Sequence, residues 1–138
     1  MLSTDSDFQA VAEAMMTAAV WADSEEGTNP DATARSVKSM KKLAQAFYAK
    51  HKALCDAVLA VEDYGWYNGS HNVLSQFGHD LYLTAVGHGV GFWDRTALPK
   101  EVRDPISAVL RNDFREWYIE TWQRGRWFYA QWAGGIKK

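Results

Sequence analysis

The stretch FGHDLYLTAVGHGVGFWDR, Phe77 to Arg95, decides how this chain is to be folded. It sets two histidines, four glycines and an Asp-Arg pair around an aromatic segment. Asp80 to Val86 alternates along its length, Gly87-His88-Gly89 supplies a turn, and Val90 to Arg95 runs back, a pattern that predicts a β-hairpin. In that register Tyr82 faces Asp94, and Asp80 lies at the same end as Arg95. Leu81, Leu83, Ala85 and Trp93 face the core, with Tyr82, Thr84, Phe92 and Asp94 on a mixed face. His88 sits at the tip, about 20 Å from Asp80 at roughly 3.3 Å per residue, so His79 and His88 are too far apart to share a metal ion or a proton.

The open end of this hairpin gathers His79, Asp80, Asp94 and Arg95. A histidine beside two carboxylates suits a general base or part of a metal site, hence a hydrolytic or metal-dependent enzyme. The plainer reading is an Asp–Arg pair with His79 closing the end of the sheet. No nucleophile motif, zinc pattern or phosphate-binding glycine loop accompanies these residues, and GHGVG lacks the G-x-G-x-x-G spacing. No catalytic residue, metal ligand or cofactor is assigned, and a non-enzymatic protein is favoured.

Upstream, helical spacing of Phe8, Val11, Ala12, Met15, Ala18 and Ala19 predicts a helix over about Asp7–Trp21 with Ser6 as N-cap. The loop after it carries Asp23, Glu25 and Glu26 without the offsets of a calcium loop. A second, long helix is predicted over about Asp31–Val61. Val37, Met40, Ala44, Phe47, His51, Leu54 and Val58 form one continuous stripe, and the helix would be about 45 Å long at roughly 1.5 Å per residue. On it His51 reads as a partly buried, hydrogen-bonded histidine. A loop rich in Gly and Asn and a short helical turn through Val73, Leu74 and Phe77 lead into the opening stretch.

Downstream, LPKEVRDPISAVLRND reads as a short helix with Pro105 marking its first turn. REWYIETWQRGRWFYAQW reads as a second hairpin turning at Arg124-Gly125, and residues 133–138 as a loose tail. The order helix, helix, hairpin, helix, hairpin is an α+β single domain over residues 1–138, with a mostly antiparallel sheet of about four strands.

Bulk properties narrow the function. The chain has 138 residues, 47% apolar and 23% charged, which suits a globular domain with a real core. Cys55 is the only cysteine, so no internal disulfide forms and a reducing compartment is expected, with Cys55 a core residue. No window reaches the roughly 20 apolar residues of a membrane span, and the first residues lack a signal-peptide pattern. The net charge of −2 hides blocks: residues 1–31 carry seven acids and no Lys or Arg, and residues 32–52 six bases and no acid. The second helix, with Lys38, Lys41 and Lys42, therefore presents positive surface.

Seven tryptophans are many for this length. On the last hairpin, with Trp122 facing Trp127, alternation puts Trp117, Ile119, Phe128, Ala130 and Trp132 on the core face. Tyr118, Trp122, Trp127 and Tyr129 lie on the other, rimmed by Arg124 and Arg126. Aromatic faces beside arginines suit single-stranded nucleic acid, where bases stack on rings and guanidinium groups hold phosphates. The same face also suits a covering helix or a second copy of the chain, and a homo-oligomer is expected.

The segment GHDLYLTAVGHGVGFWDR resembles the signature of a family of small conserved bacteriophage proteins of uncharacterised function. There a Gly-His-Asp followed by aromatics leads to Gly-His-Gly-x-Gly-Phe-Trp-Asp-Arg. The likeness extends upstream through AAVWADSEE and the helix with Phe47 and Cys55. Relatives tend to carry Phe-Trp where this chain has Leu81-Tyr82, and Arg-Asn where it has Ala85-Val86. The resemblance implies a phage-encoded accessory protein working in the host cytoplasm. With the residues, it leads to single-stranded nucleic acid as ligand, held by Trp122, Arg124, Arg126, Trp127, Tyr129, Lys38, Lys41 and Lys42. A host-takeover or anti-defence protein that docks on a host protein is the alternative, and an enzyme built on His79, Asp80 and Asp94 the second.

Overall fold

A computed structural model describes residues 1–67, 69–112 and 115–134; the expected tail beyond residue 134 lies outside the described residues. Helix α1 spans Asp5–Asp23. Thr4, not Ser6, caps it: the Thr4 hydroxyl accepts the Asp7 N–H at 3.0 Å while the Asp7 carboxylate reaches back to the N–H of Thr4, a reciprocal capping box. A two-residue strand β1, Asp31–Ala32, precedes α2, Ala34–Lys50.

The long second helix is not continuous. At His51 the backbone leaves the helical region (φ −125°, ψ 42°), and α3, Lys52–Leu59, starts again beyond it. The apolar stripe keeps its three- and four-residue steps across the break, so periodicity alone does not register it. His51 is half-buried, as expected, with its ring 5.0 Å from that of Phe47, but its Nε2 has no hydrogen-bond partner among the described residues.

The larger correction falls on the opening stretch. No hairpin forms there. After a small β2–β3 ribbon (Trp66–Tyr67, Ser70–His71), the chain enters helix α4 over Val73–Ala85. Every residue from Leu81 to Ala85 is buried, so the segment shows neither a clean two-residue nor a clean 3.6-residue period, the case in which pattern reading is weakest. Gly87, at φ +76°, ends the helix: its N–H bonds to the Thr84 carbonyl at 3.1 Å and that of His88 to the Leu83 carbonyl at 2.8 Å. This is a Schellman cap, which needs the same left-handed glycine as a hairpin turn. A single 3₁₀ turn, Phe92–Asp94, replaces the returning strand, and Phe92 is buried while Trp93 is 40% exposed, the reverse of the hairpin expectation.

Helix α5 spans Lys100–Asn112 and begins after Pro99, so Pro105 lies inside it rather than at its start. The final hairpin forms as strands β4, Ile119–Arg124, and β5, Trp127–Trp132. Its pairs are Trp122 with Tyr129 and Arg124 with Trp127, so the turn is Gly125-Arg126. This differs from the expected register by two residues. Because strand side chains alternate with period two, a two-residue slip leaves every side chain on its expected face.

The fold is α+β, with a three-stranded mixed sheet in the order β1–β5–β4, β1 running parallel to β5, instead of four antiparallel strands. Beyond β1 the edge of β5 is taken by a helix. The Asp31 N–H bonds to the carbonyl of Arg126, in the turn just before β5, and that of Thr33 to the Phe128 carbonyl of β5; then the Ser36 and Ser39 hydroxyls of α2 accept the N–H groups of Ala130 and Trp132. Helix α2 thereby lies along the sheet edge, its basic side next to the hairpin. On its other flank α2 packs on α1, which in turn packs on α4. At that second crossing, a Cβ on Gly78 would sit 2.4 Å from the Val11 carbonyl oxygen.

Candidate nucleic-acid interface

Arg35, Lys38 and Lys42 are spaced i, i+3 and i+7 on α2, which puts them on one face of the helix. With Trp122 from β4 and Tyr129 from β5 they line a groove of about 290 Å³ between the helix and the outer face of the hairpin. The serine hydroxyls on the β5 edge set this distance, so the same contacts that satisfy the strand also form the groove. Trp122 and Tyr129, directly opposite across the strands, lie with ring centroids 5.1 Å apart and planes within 3°. Both are half-buried, so part of each ring remains accessible.

The aromatic face continues toward the turn. Trp127, 38% exposed, pairs with Arg124, and the guanidinium of Arg126 lies 4.6 Å from the Trp127 ring centroid. Arg124 and Arg126 are exposed. On the core face, Ile119, Phe128 and Ala130 are buried, as is Trp117 just before β4. Among the described residues, none of Arg35, Lys38, Lys42 and Arg124 takes part in an ion pair. Lys41 does: its ammonium lies 2.7 Å from the Asp5 carboxylate, and it does not line the groove. Of the basic residues expected to act together, Lys38 and Lys42 converge on the aromatic pair and Lys41 turns to α1. Arg35 joins them from outside the expected set, and its place three residues before Lys38 is the sequence signal that adds it.

The second cluster comes together by another route than a hairpin end. Asp80, fully buried on α4, lies 2.8 Å from Nε and 2.7 Å from an Nη of Arg95. Tyr64 Oη donates to its other oxygen at 2.6 Å, and the Gln76 side-chain amide to the first at 3.1 Å. Burial pushes the Asp80 carboxyl above its ordinary value, while Arg95, Tyr64 and Gln76 pull it back. His79, the next residue round the helix, is half-buried and points elsewhere, into a cavity that Arg95 also lines. Asp94 is exposed on the 3₁₀ turn.

Among the described residues, no group of three or more His, Cys, Asp and Glu side chains gathers to hold a metal ion, so His79, Asp80 and Asp94 do not form the metal site considered from the sequence. The hairpin argument that separated His79 from His88 also falls with the hairpin. The His88 ring packs 5.6 Å from that of Trp21, which lines the same cavity as His79. Cys55 is fully buried, and burial together with Asp56 pushes its thiol up to about 12, so it stays protonated and unreactive.

Comparison with protein families, with curated proteins and with solved structures finds no match for this chain. No helix among the described residues is long and apolar enough to cross a membrane.

Proposed function

We propose that the protein binds single-stranded nucleic acid in the groove between α2 and the β4–β5 hairpin, as a non-enzymatic accessory protein of the phage family it resembles, acting in the host cytoplasm. The observation that carries this reading is the convergence of Arg35, Lys38 and Lys42, free of ion pairs among the described residues, on the parallel rings of Trp122 and Tyr129. Bases add to the accessible sides of these rings, and the cations track the phosphates alongside. Arg124, Arg126 and Trp127 extend the path to the hairpin tip. A duplex buries its base faces in its own stack, so the exposed rings favour a single strand.

Fluorescence anisotropy with a labelled oligothymidylate tests the reading. Binding is expected at low salt, falling steeply as salt rises, and weakened in Trp127→Ala and Arg126→Ala. An absence of binding at low salt to any single-stranded oligonucleotide retires it.

A further inference from the structure

The groove leaves a second, larger cavity unused. About 830 Å³ in volume, it lies between the C-terminal half of α1, the β3–α4 junction and the segment before Arg95. That is within the size range of sites for small organic ligands. Its apolar wall includes Ala18, Leu83 and Val90, and beside them Trp21 is 67% exposed, an indole left largely in water. Ser75, Gln76 and His79 of α4 and Arg95 beyond it supply polar lining, and among the described residues no Asp or Glu lines the cavity.

Arg95 gives this lining its chemistry. Its Nε and one Nη are held by the fully buried Asp80, which fixes the plane of the guanidinium. A guanidinium has five N–H donors in a rigid fork. Those not turned to Asp80 have no partner among the described residues, and the side chain is 31% exposed. A buried carboxylate that orients an arginine beside a cavity is the arrangement that presents a preorganised fork to an anion. Ser70 of β3, the N-cap Asn72 and Ser75 in the first turn of α4 add hydroxyl and amide groups to the lining. So many donors match the three terminal oxygens of a phosphate monoester better than the two of a carboxylate.

We propose that this cavity binds a nucleoside monophosphate, the phosphate on Arg95 and Ser75 and the base against Trp21. His79 and Gln76 also line the cavity, and the imidazole and the Gln76 carbonyl, its amide nitrogen being held by Asp80, meet the sugar hydroxyls or the base edge. The site shares no residue with the groove and holds whether or not the groove binds nucleic acid.

Isothermal titration of the full chain with each common nucleoside monophosphate, the matching nucleosides and inorganic phosphate tests it. At least one monophosphate is expected to bind below about 1 mM, with its nucleoside about tenfold weaker or more. Trp21→Ala, a substitution at an exposed position, is expected to weaken that binding about fivefold or more. Arg95→Lys keeps a cation beside Asp80 but loses the fork, and about a tenfold loss is expected. The proposal is overturned if no monophosphate binds at millimolar concentration to folded protein, if nucleoside and monophosphate bind equally, or if Trp21→Ala and Arg95→Lys both leave binding unchanged.

Discussion

The Ser39 hydroxyl of α2 accepts the Trp132 N–H of β5 at 2.9 Å, and one helical turn earlier the Ser36 hydroxyl accepts that of Ala130 at 3.0 Å. A helix thus satisfies donors that a neighbouring strand ordinarily takes, and it covers an edge otherwise open to pairing. Replacing Ser36, which is buried, by Ala leaves a buried N–H without an acceptor. A loss of about 1–3 kcal/mol is expected, read in urea as a lower midpoint with unchanged slope. Ser39→Ala, at a half-buried position where water can substitute, is expected to cost less. Equal, negligible effects would mean that packing alone holds α2 against the strand.

The α1–α4 crossing makes a sharper demand on one atom. A Cβ at Gly78 meets the Val11 carbonyl at 2.4 Å and the Ala14 Cβ at 2.7 Å, whereas at Gly89 nothing lies within 4 Å. Gly78→Ala is expected to destabilise by about 1–3 kcal/mol through forced separation of the helices, despite the higher helix propensity of alanine. Gly89→Ala is expected to stay within about 0.5 kcal/mol of the parent. Thermal or urea unfolding of the two variants side by side decides the matter.

In the groove, single substitutions separate lysines that sequence alone treats alike. Lys38→Ala and Lys42→Ala are each expected to reduce the salt dependence of oligonucleotide binding by about 0.7 in the log–log slope, and Trp122→Ala to cost about 1–3 kcal/mol of affinity. Lys41→Ala is expected to leave the slope unchanged, because Lys41 is engaged with Asp5 away from the groove. An equal drop for Lys41 would place the strand elsewhere on α2.

His79 supplies a pH dependence of stability. Burial, the largest influence, holds its imidazole below the ordinary value of 6.5; Asp80 opposes this and Arg95 adds to it. The unfolded chain therefore takes up a proton at a pH where the folded chain still resists it, and stability falls as pH drops through and below that ordinary value. His79→Gln is expected to be relatively more stable at about pH 5.5 than at about pH 8, each compared with the parent by urea midpoint. A variant-to-parent difference that stays constant with pH would show that burial at this position has no influence on the titration.

What was legible in the chain depended on whether one face met water. The last hairpin has an exposed side and a buried one, so its alternation told Trp122 and Tyr129 from Phe128 and Ala130 even with the register misplaced by two. Helix α4 has no wet face along Leu81–Ala85, and with that contrast missing the glycines just beyond it, Gly87 and Gly89, spell a hairpin turn. The Asp80–Arg95 contact was anticipated from the wrong geometry: a helix, a capped end and a 3₁₀ turn bring the two together as a hairpin would have. The break at His51 left no trace, since it interrupts the backbone without interrupting the stripe. Serines as edge partners were beyond reach, because Ser36 and Ser39 read as ordinary polar helix positions until β5 is in place.

The pairing of Ser36 with Ala130 joins residues 94 apart in the chain. On the ribosome, α1 to α4 emerge long before the strand that α2 is built to accompany, and contacts of such long range form slowly. Until the last ribbon is synthesised, the nascent chain carries one helix flank and a two-residue β1 with nothing to rest on. Completion of the sheet, and with it of the cationic cleft, is therefore among the final events of biogenesis, and a chain halted before Ile119 keeps that flank open to chaperones or to like chains.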